Sequence, residues 1–148
     1  GNCLVKLPMV KDVLVHGPKK TSVIVDSGIQ IDLRVAEQES FGALLQYFTG
    51  SQQHNIRLRD YANQLGLSLN EYGITNIKTG QVEQLPDEES FYEKLGLPWI
   101  PPELRSGLYE IDAALEDRLP RLVEESDLKG DLHLHSEWSD GNDPIEQL

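Results

Sequence analysis

An α+β fold is predicted for these 148 residues by three patterns. Short β-branched runs punctuated by turn residues fill the chain up to Val35, two helical apolar stripes flank Thr49-Gly50-Ser51, and a second strand pair precedes a capped helix. Strands joined by short turns favour antiparallel sheets, with the helices segregated from them. The apolar content of 39% suffices for one ordinary core or two small ones. No apolar run is long enough to suggest a membrane span.

In chain order, Gly1 to Val10 lacks the basic start and apolar run of a secretory leader, so none is expected, and the Gly-Asn opening suggests a cut chain. The single cysteine, Cys3, excludes an internal disulfide and fits a reducing compartment. Leu7–Val10, Val13–Val15 and Val23–Val25 read as strands, with turns at Gly17-Pro18-Lys19-Lys20 and Asp26-Ser27-Gly28. From Ile29 to Val35 the alternation puts Ile29, Ile31, Leu33 and Val35 on one side and Gln30, Asp32 and Arg34 on the other. Asp32 is thereby displayed from a rigid strand; the plainer reading makes it a surface partner of Arg34 or Lys20.

Phe41, Leu44, Leu45 and Phe48 recur at helical spacing, and Leu58, Tyr61, Ala62 and Leu65 repeat it, so two amphipathic helices are expected to pack on a core. Ser51 is placed to cap the second helix, and Gly50 permits backbone angles or a close approach closed to other residues. Asn55 and Arg59, four apart and off the apolar stripe, point together from an exposed face. An amide beside a guanidinium fork suits the acceptor atoms of a nucleic acid's minor groove.

Leu67–Ile77 and Gln81–Leu85 read as strands joined by Lys78-Thr79-Gly80. Asp87 caps an expected helix from Glu88 to Leu95, whose acidic face is taken as solvated. Pro98, Pro101 and Pro102 then break the chain, and Glu103 and Arg105 are either site neighbours or parts of a capped surface turn. Tyr109–Leu115 reads as a short helix and Leu119–Asp127 as an acidic tether. Near the end, Asp131, His133 and His135 alternate as on one strand face, with Asp140 returning from a loop. Imidazoles at that spacing, with a carboxylate, can meet one transition metal.

The net charge of −12 is unevenly spread. Residues 1–60 hold seven Lys/Arg against six Asp/Glu, while residues 61–148 hold six against nineteen. Lys19, Lys20, Arg34, Arg57 and Arg59 all lie in the near-neutral part, where contact with phosphate is electrostatically open. Weak, salt-sensitive DNA binding is the expectation.

The string Tyr-Phe-Thr-Gly-Ser at 47–51, followed by Asn55, Arg59 and Asn70-Glu71-Tyr72, resembles the nucleotide-binding turn and helix of family X DNA polymerases. The resemblance implies that Tyr47, Phe48, Gly50, Ser51 and Asn55 bind the incoming nucleotide and that Arg59, with Arg34, binds DNA. The polymerase beta members often carry an acidic residue where this chain has Gln52. Asp32, in Gln-Ile-Asp-Leu-Arg, is similar to the third carboxylate of the family's catalytic site, a metal ligand or base. The other two would lie upstream of Gly1. Leu97 to Arg105 narrows the similarity to bacterial and archaeal members. Asp131-Leu-His-Leu-His135-Ser-Glu-Trp-Ser-Asp140-Gly141 looks like the opening motif of a PHP phosphoesterase domain, with His133, His135 and Asp140 as metal ligands.

The implied organisation is late palm at 1–48, thumb at 49–118, linker at 119–129 and the start of a PHP domain at 130–148. That is a partial antiparallel palm sheet, a small α/β thumb and a first PHP strand. The implied chemistry is template-directed nucleotidyl transfer in short-gap repair by a monomeric, cytoplasmic, nucleoid-associated enzyme. Its expected partners are gapped or primer-template DNA and a deoxynucleoside triphosphate (dNTP), with no membrane. Its expected metals are Mg²⁺ or Mn²⁺ at the polymerase site and Zn²⁺ or Mn²⁺ at the PHP site. The piece by itself is expected to be inactive. The alternatives are a PHP-type phosphoesterase or nuclease with a DNA-docking arm, and a pure binding module.

Overall fold

The computed structural model describes residues 1–130 and 133–147. Its first unit is a three-stranded antiparallel sheet of β1 (Val10–His16), β2 (Lys20–Val25) and β3 (Gln30–Arg34), with β2 central. The short turns at residues 17–19 and 26–29 connect neighbours in space, as hairpin geometry requires. Leu7–Val10 is not a separate strand: a 3-10 turn at Leu4–Lys6 leads directly into β1. Strand β1 takes up two irregularities against β2, between Val10 and Asp12 and between Val13 and Val15. In β3, Asp32 stands opposite Ser22 and Arg34 opposite Lys20.

The second unit surrounds the main core. Helices α1 (Phe41–Thr49) and α2 (Gln52–Gln64) lead into a second antiparallel sheet of β4 (Leu67–Asn70), β5 (Gly73–Asn76) and β6 (Val82–Glu83). Helix α3 (Glu88–Lys94), a 3-10 turn at Pro102–Leu104 and helix α4 (Glu110–Leu115) follow. Leu58, Ala62, Ile74, Phe91, Tyr92, Leu95, Ile100 and Ile111 make the centre of the core.

Several expectations change here. The stretch 67–77 is a hairpin rather than one strand, because Asn70 Oδ1 accepts from the Tyr72 N–H at 2.9 Å and closes a tight turn before Gly73. Gly73 has φ 149° and lies so close to the Glu83 carbonyl that a Cβ would overlap it; the strand expected over 81–85 is Val82–Glu83.

Helix α1 is turned relative to its large apolar residues. Phe41, Leu45 and Phe48 are 50%, 41% and 51% exposed. The buried face is instead Gly42, Ala43 and Gln46. Small residues win because α1 packs closely on α3: a Cβ on Gly42 would overlap the Asp87 backbone, and the Gly42 N–H donates to Leu85 O at 2.9 Å.

The acidic helix α3 is not solvated on all of its first turn. Asp87 caps it by accepting from the Ser90 N–H at 2.7 Å, but Glu88 is buried. At the C-terminal end, residues 133–136 form no strand and pair with none among the described residues. A strand is held by its ladder, and none is beside them. Asp131 lies outside the described residues.

Candidate functional site

The turn between α1 and α2 is built by two local devices. The Gly50 N–H donates to Gln46 O at 3.3 Å and closes α1 with φ 72°, a conformation suited to glycine. The Ser51 hydroxyl accepts from the His54 N–H at 3.2 Å and opens α2. The Gly50–Ser51 peptide is cis. The result is an open cleft of about 350 Å³ lined by Tyr47, Phe48, Thr49, Gly50, Ser51, Gln52, Asn55 and Arg59. All five residues singled out for nucleotide binding, and Arg59, therefore face one space.

Asn55 is half-buried rather than displayed freely. Its Oδ1 accepts from Gln46 Nε2 and its Nδ2 donates to Tyr47 O, each at 2.8 Å. A carboxamide has two donor hydrogens and two acceptor lone pairs, so one of each remains for a ligand in the cleft. Its plane is already set by α1. Arg59 is exposed, and its Nε donates to Asn55 O at 3.2 Å, leaving the rest of the guanidinium fork outward.

Tyr47 and Phe48 meet edge to face, with centroids 5.1 Å apart and planes at 71°. Arg34 reaches the same aromatic pair from β3: its guanidinium carbon stands 5.1 Å from the Phe48 ring centroid. The sheet and the cleft are thus in contact through Arg34. Asp32, two residues earlier, is exposed and accepts from the Ser22 hydroxyl and from Gln30 Nε2 at 2.9 Å. Lys20 Nζ is 4.0 Å away. The Ser22 hydrogen bond, then that of Gln30, hold the Asp32 carboxyl below its ordinary value against a small opposing effect of burial. It is charged at neutral pH.

The residues that support the cleft were missed or misread in the sequence. His54 is fully buried; its Nδ1 lies 2.7 Å from Glu110 Oε1 and its Nε2 2.8 Å from the Tyr92 hydroxyl. Burial lowers the His54 pKa, so the ring is neutral, donating from Nδ1 to the carboxylate and accepting from Tyr92. Arg105 is no surface-turn residue. Its guanidinium grips Glu88 with two nitrogens at 2.7 and 2.9 Å, its Nε donates to Ile100 O at 2.8 Å, and its carbonyl accepts from the Ser51 N–H at 3.4 Å. Trp99 Nε1 donates to the same Glu88 carboxylate at 3.0 Å.

The second cluster is drawn together. His135 Nδ1 lies 2.5 Å from Asp140 Oδ1, and its Nε2 lies 3.0 Å from His133 Nε2. These side chains face one another. Among the described residues no group of three or more His, Cys, Asp or Glu side chains converges as a metal site. Asp32 does not make a metal site alone either, since one carboxylate beside Lys20 and Arg34 lacks the several oxygen donors a divalent ion takes.

The fold is mixed, with two small antiparallel sheets and a helix-turn-helix cleft lined by aromatics, an amide and a guanidinium. Residues 44–106 match the family described as DNA polymerase beta thumb. Together with the relatives below, this match supports a family X DNA polymerase. It is 40% identical over 147 residues to the DNA polymerase/3′-5′ exonuclease PolX of Bacillus subtilis, covering 98% of this chain and 25% of the relative. It is 30% identical over 105 residues to the human DNA-directed DNA/RNA polymerase mu, covering 70% of this chain and 21% of that one. The chain therefore spans about a quarter of the length of these relatives. Its fold matches that of Leishmania infantum polymerase beta in a ternary gap complex, with TM-score 0.59 and 22% identity over 71% of this chain and 47% of that one. Polymerases of this family use divalent metal ions. No helix among the described residues is long and apolar enough to cross a membrane.

Proposed function

We propose that this chain supplies the nucleotide-binding part of a template-directed DNA polymerase acting on short gaps, in which a primer 3′-hydroxyl attacks the α-phosphate of a dNTP and pyrophosphate leaves. The observation that carries this reading is the convergence of Tyr47, Phe48, Gly50, Ser51, Asn55 and Arg59 on one cleft. Tyr47, Phe48 and the side-chain-free Gly50 admit a sugar against the turn. The remaining donor and acceptor of Asn55 suit a base edge, and Arg59 and Arg34 suit the DNA. Asp32, charged, exposed at the middle of β3 and held by Ser22 and Gln30, suits the role of a catalytic carboxylate.

The domain reading belongs to the same proposal: late palm at 1–48, thumb at 49–118, linker at 119–129 and PHP opening at 130–148. Support comes from the separate first sheet, which ends at Arg34. Magnesium or manganese would supply charge neutralisation at the polymerase site, with Asp32 as one ligand among others not present in residues 1–148. By itself the chain is expected to be inactive and monomeric, with a cytoplasmic, nucleoid-associated setting. A hydrolytic second activity at a zinc or manganese PHP site involving His133, His135 and Asp140 is favoured by the exonuclease in the Bacillus relative's name.

The test uses the gene product extended upstream of residue 1, a one-nucleotide gapped duplex, magnesium or manganese, and each dNTP in turn. Templated addition that Asp32→Ala abolishes in a folded protein is the expected result. A folded product that binds the gap and adds nothing with either metal would overturn the polymerase reading.

A further inference from the structure

The segment that follows the Pro101-Pro102 turn is fastened to the first two turns of α2. At its start Arg105 O accepts from the Ser51 N–H at 3.4 Å. Gly107, with φ 79°, passes so close to α2 that a Cβ would overlap Gln53 and stand 2.8 Å from His54 N. Farther on, Glu110 meets His54 at 2.7 Å. On the outside Arg57 donates to Leu108 O and, at 2.8 Å, to Asp112 Oδ2.

Glu110 is the knot of this clasp. Besides His54, it accepts from the N–H groups of Gly107 at 2.7 Å, Leu108 at 3.0 Å and Tyr109 at 3.2 Å, and from the Ser106 hydroxyl at 3.2 Å. One buried carboxylate thus shapes its own segment and grips the neighbouring helix. His54 and Asn55 are successive residues on α2, about 100° apart around its axis. Any rotation of the helix that loosens His54 moves Asn55 in the cleft. Ser51, whose N–H the same segment holds, lines that cleft too.

We propose that residues 105–112 form a brace that sets the positions of Ser51 and Asn55 for the incoming nucleotide, with Glu110 as its positioning residue. The nucleotide role rests on the polymerase reading above; the brace itself does not.

Two readouts separate them. In the 148-residue chain, backbone amide NMR resonances of Gly50, Ser51 and Asn55 are compared among wild type, Glu110→Gln, Glu110→Ala and Arg57→Ala. The last removes only the outer, exposed contacts, so it keeps the test decisive where Glu110→Ala does not fold. Resonances of the turn are expected to move in Arg57→Ala and further in Glu110→Ala, with Glu110→Gln intermediate because its amide oxygen retains part of the acceptor role. In the extended gene product, Glu110→Ala is expected to raise the dNTP KM about tenfold, with kcat held within about twofold and affinity for gapped duplex unchanged.

Unmoved turn resonances in folded variants overturn the brace. An unchanged KM in a folded Glu110 variant overturns its role toward the nucleotide. A wild-type product that adds no nucleotide removes the polymerase reading, and the NMR comparison then decides the brace alone.

Discussion

Arg105 and Glu88 form a two-point ion pair inside the core, at 2.7 and 2.9 Å, with the Arg105 side chain fully buried and also set 5.2 Å from the Tyr92 ring centroid. Removing either partner leaves a buried charge uncompensated, which costs about 3–5 kcal/mol. Glu88→Ala and Arg105→Ala are therefore each expected to lower unfolding free energy by that order in urea titrations, and the double variant by less than the sum. Simple additivity would show that the two act independently.

The buried polar network also makes stability depend on pH in one direction. Burial lowers the His54 pKa below its ordinary 6.5. For Glu110, burial works to raise the pKa, but the His54 hydrogen bond and the backbone N–H groups outweigh it and bring it to about 2 from an ordinary 4.5. Glu88 is lowered as well: burial opposes this, and the hydrogen bonds from Arg105 and Trp99 prevail. In each case the unfolded chain takes a proton that the folded chain refuses, so stability is full above the ordinary pKa and falls with acidification. The urea midpoint is expected to be flat between about pH 7 and 9, to decline from about pH 6.5 downward as unfolded His54 protonates, and to decline again below about pH 4.5. His54→Phe should remove the upper stage; its persistence in that variant would assign it elsewhere.

Gly42→Ala sets two rules against each other. In an ordinary helix interior the change stabilises by roughly 0.5–1 kcal/mol. Here the new methyl would overlap the Asp87 backbone, and overpacking costs about 1–3 kcal/mol. Net destabilisation, read as a lower thermal midpoint, is the expected result, and a stabilised variant would show that α1 and α3 can separate freely.

The cleft gives a ligand-side prediction. Arg59→Ala is expected to weaken binding to gapped duplex by about 1–3 kcal/mol, the scale of one guanidinium contact to DNA. Asn55→Ala should act mainly on the nucleotide, through the amide donor and acceptor that α1 leaves unused. Equal effects of the two variants on DNA and nucleotide affinity would contradict this division.

Ser51→Ala isolates the cap. Losing the acceptor for the His54 N–H should cost about 1 kcal/mol of stability in thermal unfolding. No change would place that N–H on another acceptor.

How much of this could be read in the sequence follows the range of the forces involved. The turn at 49–51, the Ser51 and Asp87 caps, the strand displaying Asp32 and the helix bearing Asn55 and Arg59 all obey rules acting within about four residues. The hairpin hidden in 67–77 was missed because Asn70-Glu71-Tyr72-Gly73 lies inside a run with strand-like periodicity, and the side-chain turn that breaks it is a small local competitor. The strand expected over 131–135 is not formed in its described part, 133–135, for the opposite reason: alternation marks a face, while a ladder partner makes a strand.

The sequence by itself determined which side chains line the cleft, since Tyr47 to Arg59 is one continuous helix-turn-helix whose geometry follows from its own backbone. Tertiary structure alone decided what lies behind it. Glu88 and Arg105 are 17 residues apart, and His54 and Glu110 are 56 apart. Their pairing, like the choice of Gly42 and Ala43 over Phe41 and Phe48 as the buried face of α1, depends on which surfaces meet when the chain closes. A residue's own identity and spacing hold no information about a partner that only packing selects, and buried charges exist there because the fold supplies their partners at hydrogen-bonding distance.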